Sequence, residues 1–234
     1  MLNHIKKERP FSFRDEKKLS FDWMAGSEEE LERKEIFSAF RNGLRELARD
    51  VDAGTIEMTA RQREETLENI RLLYENYLLD RETDVFALAR EEKIPTKAQH
   101  FNRNHRMPPD ILPQTPEEAD RLGWDDGVAA DCHQFTSPDK THRKYVSPDG
   151  KLEVIFDKDG NMVTASEDYG TYNFASPNED PIGHFYMDVL PWIVWGNDEK
   201  DTTDLSMRLR AFVVDGGINM LKNKTAAKER RNPQ

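Results

Sequence analysis

Between Ile36 and Val51 the apolar residues Ile36, Phe40, Leu44, Leu47 and Val51 follow one another at spacings of four, four, three and four. That period places them on one stripe of an α-helix. Ser27 with Glu30 three positions on is a capping box, and Glu28, Glu29 and Glu30 suit the positive end of a helix dipole. The helix should open at Ser27 and stop at Gly54. A second helix is predicted from Thr59, with Gln62 as its reciprocal cap and Leu67, Ile70, Tyr74 and Tyr77 as its stripe. A third, from about Asp84 to Lys93, stops before Pro95, because the residue ahead of a proline disfavours helix. Thr115, Pro116 and Glu118 then start a short helix that ends at Leu122, with Gly123 as a left-handed stop and Trp124 packing beneath it.

Farther along, the pattern becomes that of strands. Leu152–Phe156, the turn Asp157–Gly160 and the return Asn161–Thr164 read as a β-hairpin. Tyr145 and Val146, followed by the turn Ser147–Gly150, supply another antiparallel strand. A meander of three or more strands behind a set of helices is an α+β pattern. A last helix is predicted from Thr203 through Leu205, Leu209 and Phe212. The aromatic run Pro191–Trp195 closes the core. These elements divide the chain into a helical N-terminal module (1–94), a proline-rich linker (95–114), an α+β domain (115–222) and a basic tail (223–234). Within the first module, Phe11, Phe13, Phe21 and Trp23 mark an arm that packs on its own body or on a partner.

Composition narrows the classes. The chain has 234 residues, enough for a real core, with 36% hydrophobic and 34% charged residues and a formal net charge of −11. An acidic total argues against a general nucleic-acid coat, since Lys and Arg drive phosphate binding. It leaves room for an enzyme with a local basic cleft or for a protein that meets a basic partner. The single cysteine, Cys132, rules out an internal disulfide and a cysteine-based zinc cluster. No run has the length and apolarity of a signal peptide or a membrane span, so a soluble product is expected, cytoplasmic as synthesised. If it acts in another cell, delivery must use some other route.

The chemistry concentrates between Thr141 and Asn197. Glu153 stands mid-strand among Leu152, Val154, Ile155 and Phe156, where a charge must face solvent or a polar cleft. One reading is an edge residue in water. The other is a general base for a ribose 2′-hydroxyl, which needs a rigid carboxylate, a cation for the phosphate and an acid for the leaving oxygen. His142, Arg143 and Lys144 form a basic triplet suited to a phosphate, and Thr171, Tyr172 and Asn173 follow Gly170 where the chain turns. His184 and His133 are further candidates. Lys97, His100, Arg103, His105 and Arg106 interleave with Phe101 in the linker, as phosphate contacts or as plain solvated residues. Asp157, Asp159, Asn161 and Asp168 match part of a calcium loop, but Met162 occupies the position that needs glycine, so a β-turn explains them better. No metal or cofactor is expected.

The segment Pro109–Leu112, Thr115–Ala119 and Leu122–Trp124 resembles the opening of the catalytic core of barnase-like ribonucleases. The block Lys144–Gly150, Gly170–Asn173, His184, Asp188–Trp192 and Gly196–Asn197 resembles the C-terminal toxin domains of bacterial polymorphic toxins of the Rhs and contact-dependent inhibition types. Several such domains are similar to the barnase, colicin and RelE-like ribonucleases. The resemblance implies a small antiparallel-sheet, barnase-like domain, metal-independent RNA cleavage through a 2′,3′-cyclic phosphate, and a cognate immunity protein as partner. The barnase glutamate has no unambiguous counterpart here, and the site is placed by its chemistry: catalytic roles for Glu153, His142, His184 and Thr171, with Arg143, Lys144, Tyr172, Asn173 and His133 binding substrate. One departure stands out: where barnase carries its acid histidine, this chain has Asp168. Two other readings remain, a non-catalytic interaction protein on the same fold and a toxin that acts on a nucleotide cofactor.

Overall fold

The computed structural model describes residues 28–74, 94–104, 111–125, 141–165, 170–177, 179–214, 218–219 and 221. The predicted helix at 84–93, the N-terminal arm, Cys132, His133, Asp168 and the tail from 222 lie outside them. The chain is α+β. Helix α1 spans Glu28–Ala53 and ends at Gly54, whose φ of 72° gives the left-handed stop. Helix α2 spans Ala60–Leu73 and opens with the predicted capping box, Thr59 and Gln62 each bonding the other's backbone amide. Helix α3 spans Lys97–Asn104, and α4 spans Pro116–Arg121. Thr115 caps α4 as expected. Its glutamate partner differs: Glu118 Oε2 accepts from the amide of Gln114, one residue ahead of the cap, at 2.9 Å.

Strands β1 (Arg143–Val146) and β2 (Glu153–Phe156) pair antiparallel, with Lys144 opposite Ile155 and Val146 opposite Glu153. Beyond this two-stranded ladder the predicted meander is reduced to single bridges among the described residues. Asp125 pairs with Val146 on one side, and Leu152 with Tyr172 and Phe156 with Met162 on the other. The hairpin turn is held by the Asp157 carboxylate, which accepts from the amides of Asp159 and Asn161. Gly160, at φ 82°, completes the reversal.

The stretch from Pro181 to Trp195 is helical where the sequence suggested only an apolar close. Helix α5 (Pro181–His184) passes through a π-helical turn (Phe185–Val189) into α6 (Leu190–Trp195). Pro191 explains the turn. It has no amide for the carbonyl four residues back, and its ring crowds that carbonyl, so the backbone widens just ahead of it and Leu190 N–H donates to Phe185 O. Helix α7 (Leu205–Val213) is capped by Asp204, one residue beyond the predicted start.

One apolar core joins α1, α2, the Phe185–Trp195 helix and α7. Ile36, Phe40, Leu44, Leu47 and Val51 are all buried in it, beside Phe185, Leu190, Ile193 and Phe212. Helices before and after the 95–114 segment therefore share one core. Within that segment α3 is docked by His100, which is buried and whose Nε2 lies 2.8 Å from Gly196 O. A second, smaller core lies on one face of the sheet, where Tyr145, Val154 and Phe156 meet Ala119 and Trp124. Arg208 ties α6 to α7: its Nε donates to Ile193 O at 2.9 Å, and Asp201 lies 3.7 Å from its guanidinium. Burial pulls that guanidinium below its ordinary value, against the opposing pull of Asp201 and Asp204.

Candidate functional site

Because Tyr145, Val154 and Phe156 fill one face of the ladder, alternation places Lys144, Val146, Glu153 and Ile155 on the other. That face is buried as well. Glu153 is 2% exposed and Lys144 5%, so neither faces open water. They are diagonal neighbours across the pair, and Lys144 Nζ lies 2.9 Å from Glu153 Oε1. Asn173 Nδ2 donates to the same oxygen at 2.7 Å and is also within 3.2 Å of Gly150 O. The Thr171 hydroxyl approaches Oε2 at 3.5 Å, a longer contact from a half-buried residue. A single ion here would cost several kcal/mol of lost hydration, and the ammonium, amide and hydroxyl together offset it.

The segment that brings Thr171 and Asn173 to Glu153 is itself tightly placed. Glu153 N–H donates to Thr171 O at 2.9 Å, and Asn173 N–H to Lys151 O at 2.7 Å. Gly170 is needed there: a Cβ would stand 2.1 Å from Glu153 O. The next two residues are gripped from the helical side. Asp188 Oδ1 accepts from Phe174 N–H at 2.9 Å and Oδ2 from Ala175 N–H at 3.1 Å. His184 Nδ1 lies 3.1 Å from Ala175 O and 3.2 Å from Asp188 Oδ2, both acceptors, so it carries the ring proton. Asn173, Phe174 and Ala175 thus bridge the buried carboxylate of the sheet to the buried carboxylate of the helix.

The candidate residues divide accordingly. Glu153, Lys144, Thr171 and Asn173 come together. His142 does not join them: it adds to the electrostatic hold on Asp157, which follows β2 four residues on from Glu153 and so stands roughly 13 Å away at the rise of a strand. Arg143 lies over the Tyr145 ring, 5.2 Å from its centroid, on the opposite face. Tyr172 alternates with Thr171 and Asn173, so its ring leaves on the far side, 37% exposed. His184 adjoins the bridge but is committed to Ala175 and Asp188. His133 lies outside the described residues. The edge-of-sheet reading of Glu153 is corrected by its burial: β1 on one side and the Thr171–Asn173 segment on the other enclose β2. The linker reading of His100 as a phosphate contact is corrected by its place against Gly196.

Asp188 is the functional-site neighbour that residue-by-residue reading passed over. Its signal was the i, i+4 spacing to His184 on one helix face. Among the described residues no group of three His, Cys, Asp or Glu side chains is placed to hold a metal ion. The chain matches no protein-family model, no curated protein and no solved structure.

Proposed function

We propose that this chain is a ribonuclease of the toxin type, with a barnase-like site centred on Glu153, cleaving RNA without metal through a 2′,3′-cyclic phosphate. The observation that carries the reading is the Lys144–Glu153–Asn173–Thr171 network. It offers a carboxylate on a rigid strand, oriented by an amide and backed by a cation, which is the equipment for in-line attack by a ribose oxygen. Glu153 takes the 2′-hydroxyl proton, entering from the Thr171 side where its contact is longest. The 2′-oxygen attacks phosphorus, Lys144 balances the charge gathered on the phosphoryl oxygens, and the 5′-oxygen leaves with a proton. His184 would supply that proton from Nε2 only in its doubly protonated form, with Nδ1–H kept on Ala175 O and Asp188.

A second reading rests on the burial of the same pair. Glu153 and Lys144, both nearly inaccessible, are equally suited to a scaffold that carries no chemistry and presents its surface to a partner. Incubation of total RNA with purified protein in EDTA, beside Glu153→Gln, separates the two. The nuclease reading expects cyclic-phosphate ends from the parent chain and a loss of about a hundredfold or more in the variant. Equal cleavage by both would discard Glu153 as base. No cleavage of any RNA would leave the scaffold reading standing.

A further inference from the structure

The exposed rings of Tyr172 and Phe174 take no part in the Glu153 network. Their exposures, 37% and 38%, are high for aromatic residues beside a buried sheet. Thr171 O and Asn173 N–H face β2, which makes Leu152 and Tyr172 a pair without mutual hydrogen bonds and turns the N–H and C=O of Tyr172 outward. That is an open rung at the sheet's edge. It is short, because the amide of Phe174 is held by Asp188 and its carbonyl accepts from Lys151 Nζ.

Acidic residues stand on two turns that adjoin the segment. Asp149 is exposed on the Ser147–Gly150 turn, which Asn173 ties to the segment through Gly150 O. Glu179 and Asp180 are exposed on a turn anchored by Ser176, whose hydroxyl and carbonyl accept their amides, and Ser176 packs against Gly150. The Ser147 hydroxyl, followed by the Lys151 amide, holds the Asp149 carboxyl below its ordinary value, so it is an anion at neutral pH. Three carboxylates against the ammonium of Lys151, held at Phe174 O, disfavour a nucleic-acid backbone and complement a cationic peptide, for which the two rings and the open rung supply apolar and backbone contacts.

We propose that this edge docks an extended, basic segment of another protein. The segment pairs with the Tyr172 backbone, lays an apolar side chain across Tyr172 and Phe174, and sets Lys or Arg against Asp149, Glu179 and Asp180. The surface is separate from the buried Glu153 network, because Tyr172 pairs with Leu152 on the opposite face of the sheet.

Selection from a random dodecapeptide library on the immobilised full chain tests this. Enriched peptides should carry more Lys and Arg than Asp and Glu. A synthetic copy should slow hydrogen exchange at the Tyr172 amide and weaken by about tenfold on Phe174→Ser or Glu179→Lys. Both changes are at exposed positions, and unchanged melting of the variants verifies their fold. Absence of enrichment, neutral or acidic winners, or equal retention by both variants would overturn the proposal. So would oligouridylate protecting Tyr172 in place of the peptide. RNA cleavage measured on Glu179→Lys, which lies outside the Asn173–Ala175 bridge, should stay at the parental level, so the docking edge and the nuclease reading stand or fall separately.

Discussion

At Glu153 the cost of burying a carboxylate is offset by Lys144 Nζ at 2.9 Å and Asn173 Nδ2 at 2.7 Å. Glu153→Gln keeps the shape but leaves the Lys144 ammonium buried without its counter-charge. It should cost about 3 kcal/mol, read as a lower urea midpoint. The double change Glu153→Gln with Lys144→Met removes both charges and should recover part of that loss, as a double-mutant cycle would report. Asp157 provides a pH handle. The Asn161 side chain first, and then the amides of Asn161 and Asp159, hold its carboxyl below the ordinary 3.8. A carboxyl with a lower pKa folded than unfolded binds fewer protons when folded. Its contribution is therefore full above pH 3.8 and lost as pH falls through the lower folded value. Melting midpoints of the parent should drop more steeply below that pH than those of Asp157→Ala. That Glu153 needed a polar setting was legible from its apolar neighbours. That the setting is Lys144 was not, because the diagonal contact depends on strand register.

Among elements, the helix running from Pro181 to Trp195 holds the site segment in place. Asp188→Ala would leave the half-buried amide of Phe174 and the buried amide of Ala175 without their acceptor. The expected cost is about 3 kcal/mol, with faster exchange of those two amides. If the amides exchange at the parental rate, Asp188 does not anchor the bridge. The helix itself was only half legible. Asp180 followed by Pro181 is the same kind of start signal as Thr115 followed by Pro116, and it is used in the same way. Pro191 hid the continuation, because proline inside a helix normally ends it, and a π-helical turn is a local answer that sequence spacing does not announce. By contrast α2 and α4 follow from spacing and caps, and α1 from its spacing (its predicted cap, Ser27, lies outside the described residues), since both signals act within a few residues.

On the scale of the whole molecule, the stripe of α1 is covered by α6, α7 and the Phe185 turn rather than by its neighbours in sequence alone. Phe40 and Phe185 meet edge to face, 5.9 Å between ring centroids, across a long stretch of chain. Removing residues 1–74 would strip the cover from Phe185, Leu190, Ile193 and Phe212. The truncated chain should aggregate or lose cooperative melting, visible by light scattering and calorimetry. A soluble, cooperatively melting 75–234 chain would show instead that the helices behind the sheet can close their own core. Among the described residues no helix is long and apolar enough to cross a membrane.

The sequence by itself determined the helical stripes, the caps of α2 and α4, the hairpin turn and the α+β class, because each depends on interactions among residues a few positions apart. Tertiary structure decided which stripe covers which, that both faces of the small sheet are buried, and that Glu153 meets Lys144, Thr171 and Asn173 while His142 and Arg143 do not. It also decided that Tyr172 faces outward while Thr171 and Asn173 turn in. Those outcomes depend on strand register and on packing between distant segments. Shifting a strand by one residue exchanges its two faces while leaving every local propensity unchanged.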